Sequence, residues 1–146
     1  MFSKQALARI SRIRETANSL IINYLKQRGI SELVPSHGDI LMALYKSENA
    51  MTVREISEKI HRKSSTVVVL IDKLENSGWV YRNKSKKDKR ITLISLTPKA
   101  IDIYSVFNEV SDLLMNTIYE GFTEIEILLF ENLLEKIFNN LKKLDI

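Results

Sequence analysis

The densest run of chemistry-bearing side chains is residues 82–90, Arg-Asn-Lys-Ser-Lys-Lys-Asp-Lys-Arg, where six basic groups stand against one acid. So much like charge in a short span is best balanced by a polyanion. Upstream, Arg62, Lys63, Ser64, Ser65 and Thr66 set two cations beside three hydroxyls, groups that bond phosphate oxygens and base edges. The chemistry on offer is ionic and hydrogen-bonding. Bond-breaking chemistry has no comparable signal: there is no Gly-rich phosphate loop, no Gly-x-Ser-x-Gly and no cluster of His, Asp and Ser, and the chain has only four glycines. Glu55/Glu58 and Glu131/Glu135 have the three- or four-residue spacing of solvated helix faces. No catalytic residue, cofactor or metal is expected. The chain has no Cys, and His37 and His61, its two histidines, lack the spacing of a zinc site.

A basic run can also be a solvated loop without a partner, so its reading depends on what positions it. Thr52 followed by Glu55 has the spacing of a capping box and opens a short helix ending near Ile60. A second helix starts at Ser64 or Ser65, carries Val67, Leu70, Ile71 and Leu74 on one face, and stops at Gly78. Two helices joined by a short polar turn form a helix-turn-helix, whose second helix can enter a major groove. Trp79-Val80-Tyr81 and residues 91–96, rich in β-branched and aromatic types, read as strands flanking the basic loop. Together these elements predict a winged helix, with the helix at base edges and the loop at phosphates or the neighbouring minor groove. The residues expected to face DNA are Ser36, Thr52, Arg54, Arg62, Lys63, Ser64, Ser65, Thr66 and Val68, then Lys84, Lys86, Lys87, Asp88 and Arg90 on the wing.

The rest of the chain reads as helices. Residues 5–28 carry an apolar stripe ending near Gly29; Ser36, after Pro35, can cap a helix holding Ile40, Leu41, Leu44 and Tyr45, and residues 48–51 make a short connection. Thr97-Pro98 starts a helix running to about Gly121, and Thr123 with Glu126 caps the last one. The expected fold is mainly α with a small β-hairpin wing, in the order α-α-α-α-β-β-α-α, as one domain over residues 1–146. Residues 35–97 form the winged helix-turn-helix, and residues 1–34 and 98–146 hold more apolar surface than one chain can cover. Two copies joined through these N- and C-terminal helices would bury it. Their recognition helices would then stand about one DNA turn, roughly 34 Å, apart, matching a pseudo-palindromic duplex site. Charge follows the same division. Residues 61–90 hold nine basic and three acidic groups, +6, whereas residues 98–146 hold four and nine, −5. No apolar run approaches the roughly 18 to 20 residues of a membrane span, and no signal peptide opens the chain, so a cytoplasmic location without a membrane partner is expected.

The element order, with Ser64-Ser-Thr-Val67, Leu70-Ile-Asp-Lys-Leu-Glu75, Gly78 and Asp88-Lys-Arg90 leading to Leu96-Thr97, resembles the MarR family of dimeric winged-helix transcription regulators. The resemblance covers nearly the whole chain. It implies that Arg90 enters a minor groove and that Asp88 holds the wing's shape. It also implies a regulator, in the first instance a repressor, with a small lipophilic or phenolic anion as effector in a crevice bordered by Tyr24, His37, Leu41 and Trp79, although for each of these four taken singly a core or interface side chain is the better reading. One departure bears on specificity: Val68 and Val69 stand where many members have a polar residue and Arg. Paired hydrogen bonding to guanine from there is lost, and an A·T-rich site is expected. The alternatives are a winged helix that binds an acidic protein, and a sequence-tolerant DNA-binding protein without an effector.

Overall fold

The computed structural model describes residues 4–48 and 50–144. Residues 1–3 and 145–146, in the expected dimerisation segments, and Asn49, in the expected connection, lie outside the described residues. The elements are α1 (Ala6–Gln27), α2 (Pro35–Tyr45), β1 (Ala50–Met51), α3 (Val53–Ile60), α4 (Ser64–Asn76), β2 (Val80–Lys84), β3 (Thr92–Leu96), α5 (Pro98–Asp102), α6 (Tyr104–Ile118) and α7 (Glu124–Lys142). The fold is mainly helical, with an antiparallel three-stranded sheet of order β1-β3-β2.

Local chemistry sets most of the boundaries. Thr52 accepts from the Glu55 N–H at 3.1 Å while Glu55 accepts from the Thr52 N–H at 2.8 Å, the reciprocal capping box that starts α3. Gly78, at φ 78, ends α4 in the left-handed conformation that suits glycine. Ser36 does not cap α2: Val34 is the cap residue, Pro35 opens the helix, and His37 Nδ1 accepts from the Val34 N–H at 3.3 Å. Two differences from the expected order have physical causes. The connection at residues 48–51 contains β1, whose Ala50 and Met51 pair with Ser95 and Ile94, satisfying backbone groups that β3 would otherwise leave at an open edge. The expected helix from Pro98 to about Gly121 breaks at Ile103. There the Tyr45 hydroxyl donates to the Ala100 carbonyl, the acceptor that an unbroken helix would offer the Tyr104 N–H.

Two compact units result, Met1–Val110 and Ser111–Ile146, dividing within α6. The first has the core: Ile40, Leu41 and Leu44 of α2, Ile56 of α3, Val67, Ile71 and Leu74 of α4, and Trp79, Val80, Ile94 and Leu96 around the sheet, all buried. Thr97 locks the return of β3, donating to the Gly78 carbonyl at 2.6 Å and accepting the Ala100 N–H at 3.3 Å, so the end of α4 and the start of α5 share one side chain. In the second unit Thr123 and Glu126 form another capping box, and the Tyr119 hydroxyl donates to Glu131 at 2.7 Å. Helix α7 has 19 residues, none of them buried.

His37 makes stability depend on pH. Its Nδ1 accepts from Val34, so the ring proton sits on Nε2, which is buried and has no hydrogen-bond partner among the described residues. Burial first, and then the positive charge of Lys73, hold its pKa below the usual histidine value. The unfolded chain therefore binds a proton that the folded chain refuses. The stability associated with neutral His37 is full above about pH 6.5 and falls as pH drops toward the folded pKa, with a slope of at most about 1.4 kcal/mol per unit. Urea unfolding between pH 7.5 and 5 is expected to show this slope, and His37→Asn is expected to flatten it; an unchanged slope in the variant would assign the acid sensitivity to other groups.

Candidate nucleic-acid interface

Helix α4 turns Val67, Ile71 and Leu74 to the core and leaves Ser64, Ser65, Thr66, Val68 and Val69 exposed. Its N-cap is Lys63, whose side chain makes no capping hydrogen bond. The first-turn amides thus stand beside a cation, an arrangement suited to an anion. The turn before it is stitched from within: Ser57 Oγ donates to the Arg62 carbonyl at 2.5 Å, Ser64 Oγ lies 3.4 Å from Ser57 Oγ, and His61 takes the left-handed conformation that changes the chain's direction. Thr52 spends its hydroxyl on the α3 cap. Arg54, exposed, pairs with Glu58 at 3.2 Å, a surface pair of small energetic weight. Ser36 lies half-buried in the first turn of α2.

The loop of the wing is shorter than the sequence implies. Strand β2 continues through Arg82 and Asn83 to Lys84, with Arg82 opposite Ile94 and Lys84 opposite Thr92. The loop has an internal lock at Asp88: Oδ1 accepts from the Arg90 N–H at 3.0 Å and from Nε at 3.1 Å, and Oδ2 accepts from the guanidinium at 3.0 Å. Hydrogen bonds from the Arg90 side chain and backbone hold the Asp88 carboxyl below the usual carboxylate range. Ser85 Oγ accepts from the Lys87 and Asp88 N–H groups, which tightens the same turn. Lys86, Lys87, Lys89 and Arg90 are displayed outward, and Arg90 is 90% exposed.

Arg82 was grouped with the loop cations in the sequence, and its position is different. Its guanidinium reaches Asp72 at 2.5 Å and Glu75 at 2.7 Å, both on α4, and Glu75 also accepts the Arg82 backbone N–H at 2.9 Å. One residue thereby ties the first wing strand to α4 and sets its positive charge beside that helix's two acids. The spacing of Asp72 and Glu75, three apart on one helix, was the available signal.

Of the four residues expected at an effector crevice, three are buried and Tyr24 is half-buried. Leu41 and Trp79 are core side chains, 0% and 2% exposed, and His37 is buried. Tyr24 donates to Glu109 at 2.9 Å, with the Arg28 guanidinium 3.6 Å from its ring centre. Lys99 covers the Trp79 ring at 3.9 Å. An open cleft of about 310 Å³ lies elsewhere, lined by Asp39, Met42, Ala43, Lys46, Lys59, Ile60 and His61. Among the described residues no three His, Cys, Asp or Glu side chains converge as a metal site.

Residues 33–92 match the model of the MarR family. The chain is 28% identical over 94 residues to the HTH-type transcriptional regulator SarZ of Staphylococcus epidermidis, a match spanning 64% of this chain and 61% of that protein. It is 31% identical over 93 residues to the uncharacterized HTH-type transcriptional regulator YsmB of Bacillus subtilis, spanning 64% of each. The alignments thus span under two thirds of these relatives' length. In fold, the chain is similar to the S. aureus MepR–DNA complex, with a TM-score of 0.78, 24% identity, and coverage of 97% of this chain and 99% of that one.

The bracket of Arg82 is testable without DNA. Arg82→Gln is expected to lower unfolding free energy by about 1–2 kcal/mol in urea, the lower part of the range for hydrogen bonds to charged groups because all three partners are partly exposed. A variant as stable as the parent would reduce Arg82 to an ordinary surface charge.

Proposed function

We propose, from the match of residues 33–92 to the MarR family model, that the chain is a homodimeric transcriptional regulator that binds a pseudo-palindromic site in double-stranded DNA and represses from it. The observation that carries the reading is the joint display of an uncapped, hydroxyl-lined α4 start and a wing whose cations are held outward by the Asp88 lock. Phosphates are met by Lys63, Lys84, Lys86 and Lys87, with Ser36, Thr52, Arg54 and Arg62 flanking. Ser64, Ser65, Thr66 and Val68 present the base-reading face. Arg90, exposed at the wing tip, suits a narrow minor groove, whose negative potential attracts a guanidinium.

Dimerisation is supported by what the terminal helices leave uncovered. On α1, Leu7 and Ile13 are 66% and 56% exposed; on α7, Ile125, Leu128, Leu129 and Leu141 are all above 50%. At about 25 cal/mol per Å², covering such rows recovers several kcal/mol, and a second copy is the occupant that also supplies a second reading helix.

Release by a small lipophilic or phenolic anion is the further part of this reading. It is supported by two buried donors, His37 Nε2 and Trp79 Nε1, that lack hydrogen-bond partners among the described residues. An unpartnered buried donor costs about 1–3 kcal/mol, so an acceptor that reached one would be retained.

Selection from random duplexes at two salt concentrations tests the regulator. Enrichment of an inverted repeat with half-sites about ten base pairs apart is expected; enrichment of single, unpaired half-sites would remove the dimer, and salt-sensitive binding without enrichment would leave a sequence-tolerant protein. On the selected site, Arg90→Ala is expected to weaken binding by roughly 1–3 kcal/mol, and Lys86→Ala or Lys87→Ala to reduce the salt slope by about one. An Arg90→Ala protein that bound as tightly as the parent would sink the wing's role.

The chain's single tryptophan reports on the effector. Titration with 4-hydroxybenzoate is expected to change Trp79 emission and lower operator affinity together; a flat response in both would remove this class of anion.

A further inference from the structure

The outer face of α4 is apolar at its centre. At about 100° of rotation per residue, the residue most nearly opposite the core-facing Val67 and Ile71 is Val69, with Ser65 one turn before it on the same line. Val69 is 54% exposed and Val68, a quarter turn round, 39%. Neither position offers the paired donors with which Arg, Asn or Gln recognises a base.

What surrounds the valines narrows the partner. Lys63 precedes them, the exposed wing cations stand beside the helix in sequence, and residues 61–90 carry nine basic against three acidic groups. The acids on the same helix, Asp72 and Glu75, are both engaged by Arg82, and the third, Asp88, is bound to Arg90. A cationic surface with an apolar centre complements a polyanion that presents apolar groups between its phosphates. The thymine C5 methyl, exposed in the major groove, is such a group.

We propose that Val69, flanked by Val68, reads thymine through its C5 methyl, so that α4 specifies its site at these steps by apolar contact. This rests on the DNA-binding reading above and extends it to the group recognised. The chemistry gives a sharp signature, because the methyl can be removed or restored without altering Watson–Crick pairing. Deoxyuridine lacks it, and 5-methylcytosine carries it on a different base pair.

The experiment uses the full chain and a duplex enriched from a random pool, resynthesised with deoxyuridine in place of thymine one position at a time. Loss of a buried methyl is expected to weaken binding about fourfold at each contacted position. Val69→Ala, an exposed substitution, is expected to weaken binding to the thymine duplex and to abolish the difference between thymine and deoxyuridine at that position. At the same step, 5-methylcytosine is expected to bind better than cytosine. Enrichment with equal affinity for thymine and deoxyuridine duplexes throughout would overturn methyl reading while leaving the regulator standing. A response to deoxyuridine that Val69→Ala left intact would overturn the assignment to Val69. Binding without enrichment of any sequence would overturn this reading alone, and failure to bind any duplex in the pool would overturn both it and the DNA-binding function on which it rests.

Discussion

The ion-paired bracket of Arg82 with Asp72 and Glu75 is the constraint on which the geometry of the basic surface depends. A helix proposed to face phosphates carries two carboxylates, and a hairpin with six cations in nine residues carries its own repulsion. Each is a difficulty alone, and one guanidinium set between the two carboxylates eases both. Because Glu75 also accepts the Arg82 backbone N–H, the bracket sets the position of β2 as well as the charge balance. Side-chain entropy lost in holding Arg82 is small, since its planar fork meets both acids from one placement. The isolated surface pair Arg54–Glu58 has neither property and differs from it in kind.

The second lock, Asp88 on Arg90, works at the other end of the wing. It holds exposed Arg90 by three contacts from one carboxylate. In water such a pair is worth little. Its value is geometric: two of the contacts are to the side chain and one to the backbone, so the turn keeps its shape even when the guanidinium leaves for another anion. The two locks divide the hairpin into a fixed base and a displaced, cationic tip.

Much of this was legible from residue types. The capping boxes at Thr52/Glu55 and Thr123/Glu126, the stop at Gly78 and the periodic core of α4 are local signals, and each appears where its spacing places it. What escaped was set by distant partners. β1 is two residues long, too short for any alternation, and exists because β3 has an edge to satisfy. The break at Ile103 depends on Tyr45, more than fifty residues away. Arg82 looked like its neighbours because charge alone does not distinguish a cation bound to the fold from one free for a ligand. Ser36 had the right type for a cap, but Pro35, preorganised for the first helical position, moved the start of α2 two residues earlier.

On the proposed duplex-binding surface two kinds of side chain would divide the labour of recognition. Lysines and arginines attract any duplex, and their contribution falls with salt because they act by displacing counterions. They set affinity and orientation without distinguishing sequences. Discrimination must come from groups whose free energy changes with the base, and on α4 those are hydroxyls and exposed valines. Apolar contact is insensitive to salt, so raising salt strips away the cationic contribution first and leaves a smaller share of binding in which the bases matter more. A surface built this way gains selectivity as it loses affinity. That trade would suit the proposed regulator, which must leave most of the duplex it touches.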